Sequence, residues 1–324
     1  MGKSVVEQKL LEYPDVFADV YNAYCFGGES ILKEEELEPM MAVAYTRDVD
    51  NEVRGRLRDV RKKCLLFSGR YPVICQIENQ TDIDNTMPVR IMGYEYAAYE
   101  EQIDKYQDEN KKNLRDAGSR KLFADQKLAP VITLVLNFGD QSWRKPTCTY
   151  DMVEWPGDIL EHLKQCVVNY PIRVVDVAHL NEDLRKVLKS DFRIVAEYLA
   201  CKGNIEKWEE FLKENHPIRH VEALLDVLGA LSKNEMYYAL LESIQKKEIE
   251  KEDWNMCYVI DEYMRRGMEK GMEKGMEQSL EIMKILRDRV HNGDEINTTL
   301  QNVAAQFGIS EEIAAKYYSL LFGN

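Results

Sequence analysis

The 324 residues, 45% hydrophobic and 31% charged, can bury a sizeable core and form more than one folded unit, and no apolar run reaches the roughly 18 residues that a membrane span needs. Seven cysteines (25, 64, 75, 148, 166, 201 and 257) form no Cys-x-x-Cys pair, which counts against a zinc site or a disulfide frame; with no signal-like apolar stretch at the N-terminus, a cytoplasmic protein with reduced thiols is expected. The net charge of 43 − 57 = −14 taken alone counts against nucleic-acid binding, because phosphate contact wants a basic face.

In chain order, residues 4–26 carry Val6, Leu10, Val16, Val20 and Tyr24 at helical spacing and stop at Gly27-Gly28. Pro14 breaks or kinks this stretch, so two shorter helices are an alternative to one. An acidic segment follows with Glu34, Glu35, Glu36 and Glu38, then a strand over Met41–Tyr45 and a strand pair at about 55–67 and 72–79. Pro88 marks a helix start after Asp84 or Asn85 as cap, and the helix runs through Arg90, Tyr94, Tyr96 and Tyr99 to about 110. A polar, lysine-rich stretch is helix or loop. Val131–Asn137 is a continuous apolar run fit for a buried strand. Residues 156–170 read as helix and Arg173–Val177 as a short strand. From 181 to about 265 the pattern is helical, with breaks at Gly203, His216-Pro217 and Gly229.

The strand pair carries the chemistry. A two-residue Ser68-Gly69 turn pairs Phe67 with Arg70, and paired residue numbers then sum to 137 along the ladder. Asp59 falls opposite Glu78, and Gln80 points to the same face. A four-residue turn sets Asp59 opposite Gln80 instead, with Glu78 on the diagonal of that face. Facing carboxylates repel by roughly 0.2–1 kcal/mol, and a cation between them reverses the sign. Two acids and an amide suit a hard divalent ion such as magnesium. Around them, between residues 54 and 70, Arg54, Arg56, Arg58, Arg61, Lys62, Lys63 and Arg70 stand against Asp59, a local balance of 7 − 1 = +6. Such a cluster is a phosphate-binding face or a charge-protected strand edge.

The five histidines (162, 179, 216, 220, 291) are scattered, and Pro217 breaks the helix that would align His216 with His220; they read as structural. Residues 264–278 hold an internal repeat, Gly-Met-Glu-Lys twice and then Gly-Met-Glu-Gln. On a helix its period of four gives slowly winding Gly and Met stripes fit for self-association; otherwise it is a flexible spacer. The tail, 279–324, has two or three amphipathic helices. Asn302–Ala314 resembles a helix-turn-helix core, with Ala314 in the core position and the larger Ile313 off by one. Its second helix opens with Glu311-Glu312, which phosphate repels, so packing or assembly is the expected use.

The order helix, three strands, helix, strand, with Asp59 and Glu78-x-Gln80 on the central strands, resembles the PD-(D/E)XK nuclease superfamily. Val16–Asn22, Arg58–Val60, Ile77–Asp84, Met87–Tyr94 and Pro130–Leu136, with the repeat, are similar to the bacterial recombination-promoting nuclease family, also described as putative transposases. The resemblance covers about residues 10–270. It implies an α/β PD-(D/E)XK-type core over 1–155; the helical patterning and the repeat then give a mostly helical domain over 156–263, the repeat segment 264–278 and a helical tail 279–324.

The resemblance further implies magnesium-dependent cleavage of DNA, with manganese as a substitute. Asp59 and Glu78 would ligate the metal together with the backbone carbonyl of Asn79. Gln80 stands where the superfamily usually has lysine; an amide can orient water but brings no charge. Glu29 and Glu36 are candidates for the acid that superfamily members often carry on the first helix. Arg58, Arg61, Lys62 and Arg90 are the expected substrate contacts, and a dimer through the C-terminal helical region is the expected assembly. The alternative is a DNA-binding scaffold that keeps the nuclease fold without its activity, favoured by Gln80 and by the net charge.

Overall fold

The computed structural model describes residues 3–41, 43–47, 53–57, 59–66, 70–113, 122–157, 160–202, 204–214, 216–246 and 255–322. The chain divides into two compact units, Met1–Met256 and Cys257–Asn324. No described helix is long and apolar enough to cross a membrane.

The first unit opens with α1 (Lys3–Leu11) and α2 (Pro14–Cys25). Pro14 therefore starts a helix, where its missing N–H is not needed, and the two-helix alternative holds. After α2 the chain turns through Gly27 and Gly28, both at positive φ (62° and 90°), a conformation that favours glycine.

The strands are β1 (Leu37–Pro39), β2 (Val43–Arg47), β3 (Val53–Leu57), β4 (Val60–Leu65), β5 (Tyr71–Gln80), β6 (Val131–Asn137) and β7 (Arg173–Asp176). Five form one sheet in the order β1-β4-β5-β6-β7, while β2 and β3 pair apart as a two-stranded ribbon. Within the large sheet β1, β4 and β5 run antiparallel, and β6 and β7 lie parallel to β5 and to each other. The parallel step needs a crossover, which α3 (Met87–Lys112) supplies. The strand expected at about 55–67 is thus two strands. β3 takes β2 as its partner and β4 takes β5, with the chain bending at Asp59 between them.

Side chains alternate across the sheet. On one face Ile74 and Val131 pack on Ala98 of α3, and Val135 joins Met87, Ile91, Tyr94 and Trp143. On the other lie α1 and α2, where the fully buried Tyr21 donates its hydroxyl to the carbonyls of Gln76 (2.6 Å) and Ile132 (3.0 Å).

Helices α4 (Leu160–Cys166), α5 (Glu182–Lys186), α6 (Phe192–Ala200), α7 (Ile205–Lys213), α8 (Val221–Ser232) and α9 (Glu235–Gln245) complete the unit. The helix expected over 156–170 is only α4: the chain beyond it is Val167-Val168-Asn169-Tyr170-Pro171, whose β-branched pair and terminal proline disfavour helix. Gly229 does not break α8. A Cβ there would lie 2.9 Å from the Tyr238 ring, so the glycine lets α8 and α9 approach. The helix ends at Lys233, in the left-handed conformation.

The second unit holds α10 (Met256–His291), α11 (Ile296–Phe307) and α12 (Glu311–Phe322). Ile282, Leu286, Val303, Ala304 and Ala314 form its core. The glycine repeat lies inside α10, with Met268, Met272 and Met276 exposed. Ala314 is fully buried while Ile313 is 42% exposed, as the helix-turn-helix spacing requires.

Candidate active site

β4 and β5 keep the 137 register from Val60↔Ile77 to Leu65↔Pro72, that of the two-residue turn; Phe67, Ser68 and Gly69 lie outside the described residues. Asp59 stands one residue before β4. Its Oδ2 accepts a 2.6 Å hydrogen bond from the backbone N–H of Asn79, so the carboxylate reaches over to the strand that carries Glu78. Burial pushes the Asp59 pKa up; the Asn79 N–H and the Arg90 charge work against that shift.

Glu78 is 5% exposed. Its Oε1 accepts from Arg90 Nη2 and, at 3.2 Å, from Gln80 Nε2. Arg90 lies in the first turn of α3, which starts after Thr86 rather than at the expected caps Asp84 or Asn85. Asp84 holds the Thr86 N–H (2.7 Å) through Oδ1 and Arg90 Nη1 (2.6 Å) through Oδ2. Arg90 Nη2 also donates to the Tyr94 hydroxyl at 2.9 Å. Burial alone would lower the Arg90 pKa, but Asp84, Tyr94 and Glu78 hold it above its usual value. Burial opposes the shift at Asp84 too, yet bonds from Thr86 and Arg90 hold its pKa below the ordinary range.

Asp59, Glu78, Gln80, Asp84, Arg90 and Tyr94 therefore form one cluster. Its three carboxylates against one guanidinium leave a formal excess of 3 − 1 = 2 negative charges. Asp84 and Tyr94 were not anticipated at the site. The Arg90–Tyr94 spacing of four on a helix was the available signal.

The basic residues separate. Arg61 lies on the Glu78 face of the sheet, but its side chain is 1% exposed and Nη1 bonds Glu101 of α3 at 2.6 Å. Lys62 points to the opposite face, where Nζ donates to the Glu12 carbonyl (2.8 Å) and sits 5.5 Å from the Phe17 ring centroid; burial lowers its pKa. The strand alternation that brings Asp59 and Glu78 together carries Lys62 away from them, which corrects its expected place at the substrate. Arg58 lies outside the described residues, and Glu29 and Glu36 fall between α2 and β1.

Several cavities border the first unit. One, of about 340 Å³, opens where β5 and β6 end and is lined by Thr81, Asp82, Gly139, Asp140 and Lys202. Open sheets bind ligands outside such carboxyl ends. A Cβ on Gly139 would meet the Thr81 carbonyl oxygen at 2.3 Å, so this approach next to Gln80 needs glycine. A larger cavity, about 710 Å³, is lined by Asp15, Asp19, Lys189, Asp191 and Arg219 and by none of the cluster.

Among the described residues no group of three or more His, Cys, Asp or Glu is placed to hold a metal. Two carboxylates still fit magnesium, which keeps several waters and takes one or two protein carboxylates. Cys25, Cys64, Cys75, Cys148, Cys166 and Cys201 are free thiols. His220 stacks on Tyr13 and bonds Asp15 (2.8 Å), and His216 stacks on Phe211, both in structural roles.

Compared with known families, residues 37–214 match the one described as putative transposase, YhgA-like. The match spans more than half of the chain, from β1 through the large sheet to the end of α7, and the chain belongs to this family. No curated protein and no solved structure matches it.

Proposed function

We propose that this family member is a magnesium-dependent DNA endonuclease of the PD-(D/E)XK type, hydrolysing phosphodiester bonds in DNA recombination or transposition. The observation that carries the reading is the convergence of Asp59, at the bend that leads into β4, and Glu78 of β5 with Gln80 and Arg90 at one place. The order α2, then β1, β4 and β5 of one sheet, then α3 and the parallel β6 supports it, as does the family's description as a transposase.

Asp59, Glu78 and the backbone carbonyl of Asn79 would hold the metal. When bound, magnesium supplies Lewis acidity toward a phosphate oxygen and lowers the pKa of water. Gln80 orients the attacking water through its amide, as it now orients toward Glu78. Arg90 offsets charge that develops on phosphate. Asp84 and Tyr94 fix the guanidinium from behind. Arg58 is a further candidate phosphate contact, and the C-terminal helical region would supply a dimer contact for cutting both strands. Such an enzyme would act in the cytoplasm.

The test is nicking of supercoiled plasmid with magnesium, manganese, calcium or EDTA, wild type beside Glu78→Ala. Metal-dependent nicking that disappears in the variant supports the reading. A folded protein that shows no nicking with any of these metals refutes it. The neutral Gln80 and the pairing of Arg90 with Glu78 favour one other reading, a DNA-binding scaffold, which requires DNA binding without nicking.

A further inference from the structure

Glu78 Oε1 is engaged by the protein's own cation. Arg90 Nη2 and Gln80 Nε2 both donate to it. The same guanidinium bonds Asp84 Oδ2 and the Tyr94 hydroxyl. The two acids differ in setting: the Glu78 side chain is 6% exposed and that of Asp84 26%, with Arg90 at 35%. Arg90 thus lies between a buried acid on the strand and a more exposed acid at the mouth of the helix. A buried carboxylate without a counter-charge is strongly unfavourable, so Arg90 makes Glu78 compatible with folding.

A divalent ion at Glu78 meets this guanidinium as a like charge beside the same carboxylate. We infer that Arg90 is an exchange cation: ion binding at Glu78 releases the guanidinium to its outer partners, Asp84 and Tyr94, and turns the freed N–H groups toward a backbone phosphate of DNA. The inference rests on the metal-dependent nuclease reading. Three features make the exchange workable. The outer partners already hold Arg90, so leaving Glu78 does not strand it. A guanidinium has five donors in a planar fork, enough to keep Asp84 and still grip phosphate oxygens. Nothing but a side-chain rotation is needed, because Arg90 is anchored on α3. Metal arrival and phosphate capture then become one coupled event, and DNA is gripped most tightly by the metal-loaded protein.

The test is calorimetric titration of the full-length protein with calcium, followed by DNA binding in calcium and in EDTA. Arg90→Met keeps the apolar stem and removes the charge. Its calcium affinity is expected to rise about tenfold, since a like charge at the site is gone, while Glu78→Ala loses the binding. The gain in DNA affinity that calcium gives the wild type is expected to vanish in Arg90→Met. Arg90→Lys keeps the like charge but not the fork; it is expected to bind calcium near the wild-type level and to lose the DNA gain, and it serves if Arg90→Met does not fold. Unchanged or weaker calcium binding by folded Arg90→Met, or an undiminished DNA gain in Arg90→Lys, overturns the exchange and leaves the metal site standing. Failure of wild type and variants alike to bind calcium, manganese or magnesium overturns the metal-site reading and the exchange with it.

Discussion

Replacing Asp59 separates its two duties, because the carboxylate is both a candidate ligand and the acceptor for the Asn79 N–H at 2.6 Å. Asn79 is 4% exposed, so losing that acceptor leaves a buried donor unsatisfied, at a cost of about 1–3 kcal/mol. Asp59→Ala removes charge and acceptor together; Asp59→Asn removes the charge and keeps an acceptor oxygen. The alanine variant is therefore expected to be less stable than the asparagine variant by about 2 kcal/mol, or roughly 4–8 °C in Tm for a unit of this size. The pH dependence follows from the raised pKa of Asp59. Its contribution to stability is full below the unfolded-state carboxylate pKa and is lost as pH rises through the higher folded value. Asp59→Asn cannot ionise, so it is expected to melt above wild type at neutral pH without metal, with the gap closing in acid. Both variants are expected to lose plasmid nicking. Thermal melts in EDTA across the acid-to-neutral range decide the matter: an asparagine variant as unstable as the alanine one would refute the acceptor role, and a gap that widens in acid would refute the pKa argument.

Gly139→Ala places a Cβ 2.3 Å from the Thr81 carbonyl oxygen, so one of the two strand ends must shift; a loss of about 1–3 kcal/mol is expected, with reduced nicking because Thr81 follows Gln80. A chemical melt combined with the plasmid assay checks this, and a variant as stable and active as wild type would count against the close approach. In α10 the positions of Gly267, Gly271 and Gly275 are open, with nothing within 4 Å of an added Cβ. Changing all three to alanine is expected to stabilise that helix by roughly 0.5–1 kcal/mol each, read as a higher melting temperature by circular dichroism. A flexible spacer would show no such gain.

On the nuclease reading, the cluster explains how an acidic protein can hold a site for phosphate. Its charge of −14 repels DNA at long range, yet the local requirement is a cation beside two acids. Arg90 supplies one from the helix that crosses between β5 and β6. The dense basic run at 54–70 contributes less than its count promises. Arg61 pairs with Glu101 and Lys63 with Glu38 (3.1 Å), and Lys62 is buried beneath the α1–α2 junction.

Much of the first unit was legible from local chemistry. Pro14 and the paired glycines set the bounds of α2, the apolar run Val131–Asn137 is β6 residue for residue, and the two-residue-turn register places Asp59 and Glu78 on one face. These are properties of periodicity, proline and turn length, which act within a few residues. What the sequence could not decide depended on partners distant along the chain. The bend at Asp59 divides the stretch between two partners, β3 pairing with β2 and β4 with β5. The fate of each cation was equally non-local: Arg61 and Lys62 are neighbours in sequence, but strand alternation sends one to Glu101 and the other to the Glu12 carbonyl. The joining of Asp84 and Tyr94 to Glu78 through Arg90 required the packing of α3 on the sheet. The sequence by itself determined which residues could carry charge and where local elements begin; only tertiary structure decided which charges meet, because a buried ion settles beside whichever counter-charge the packed elements bring within reach.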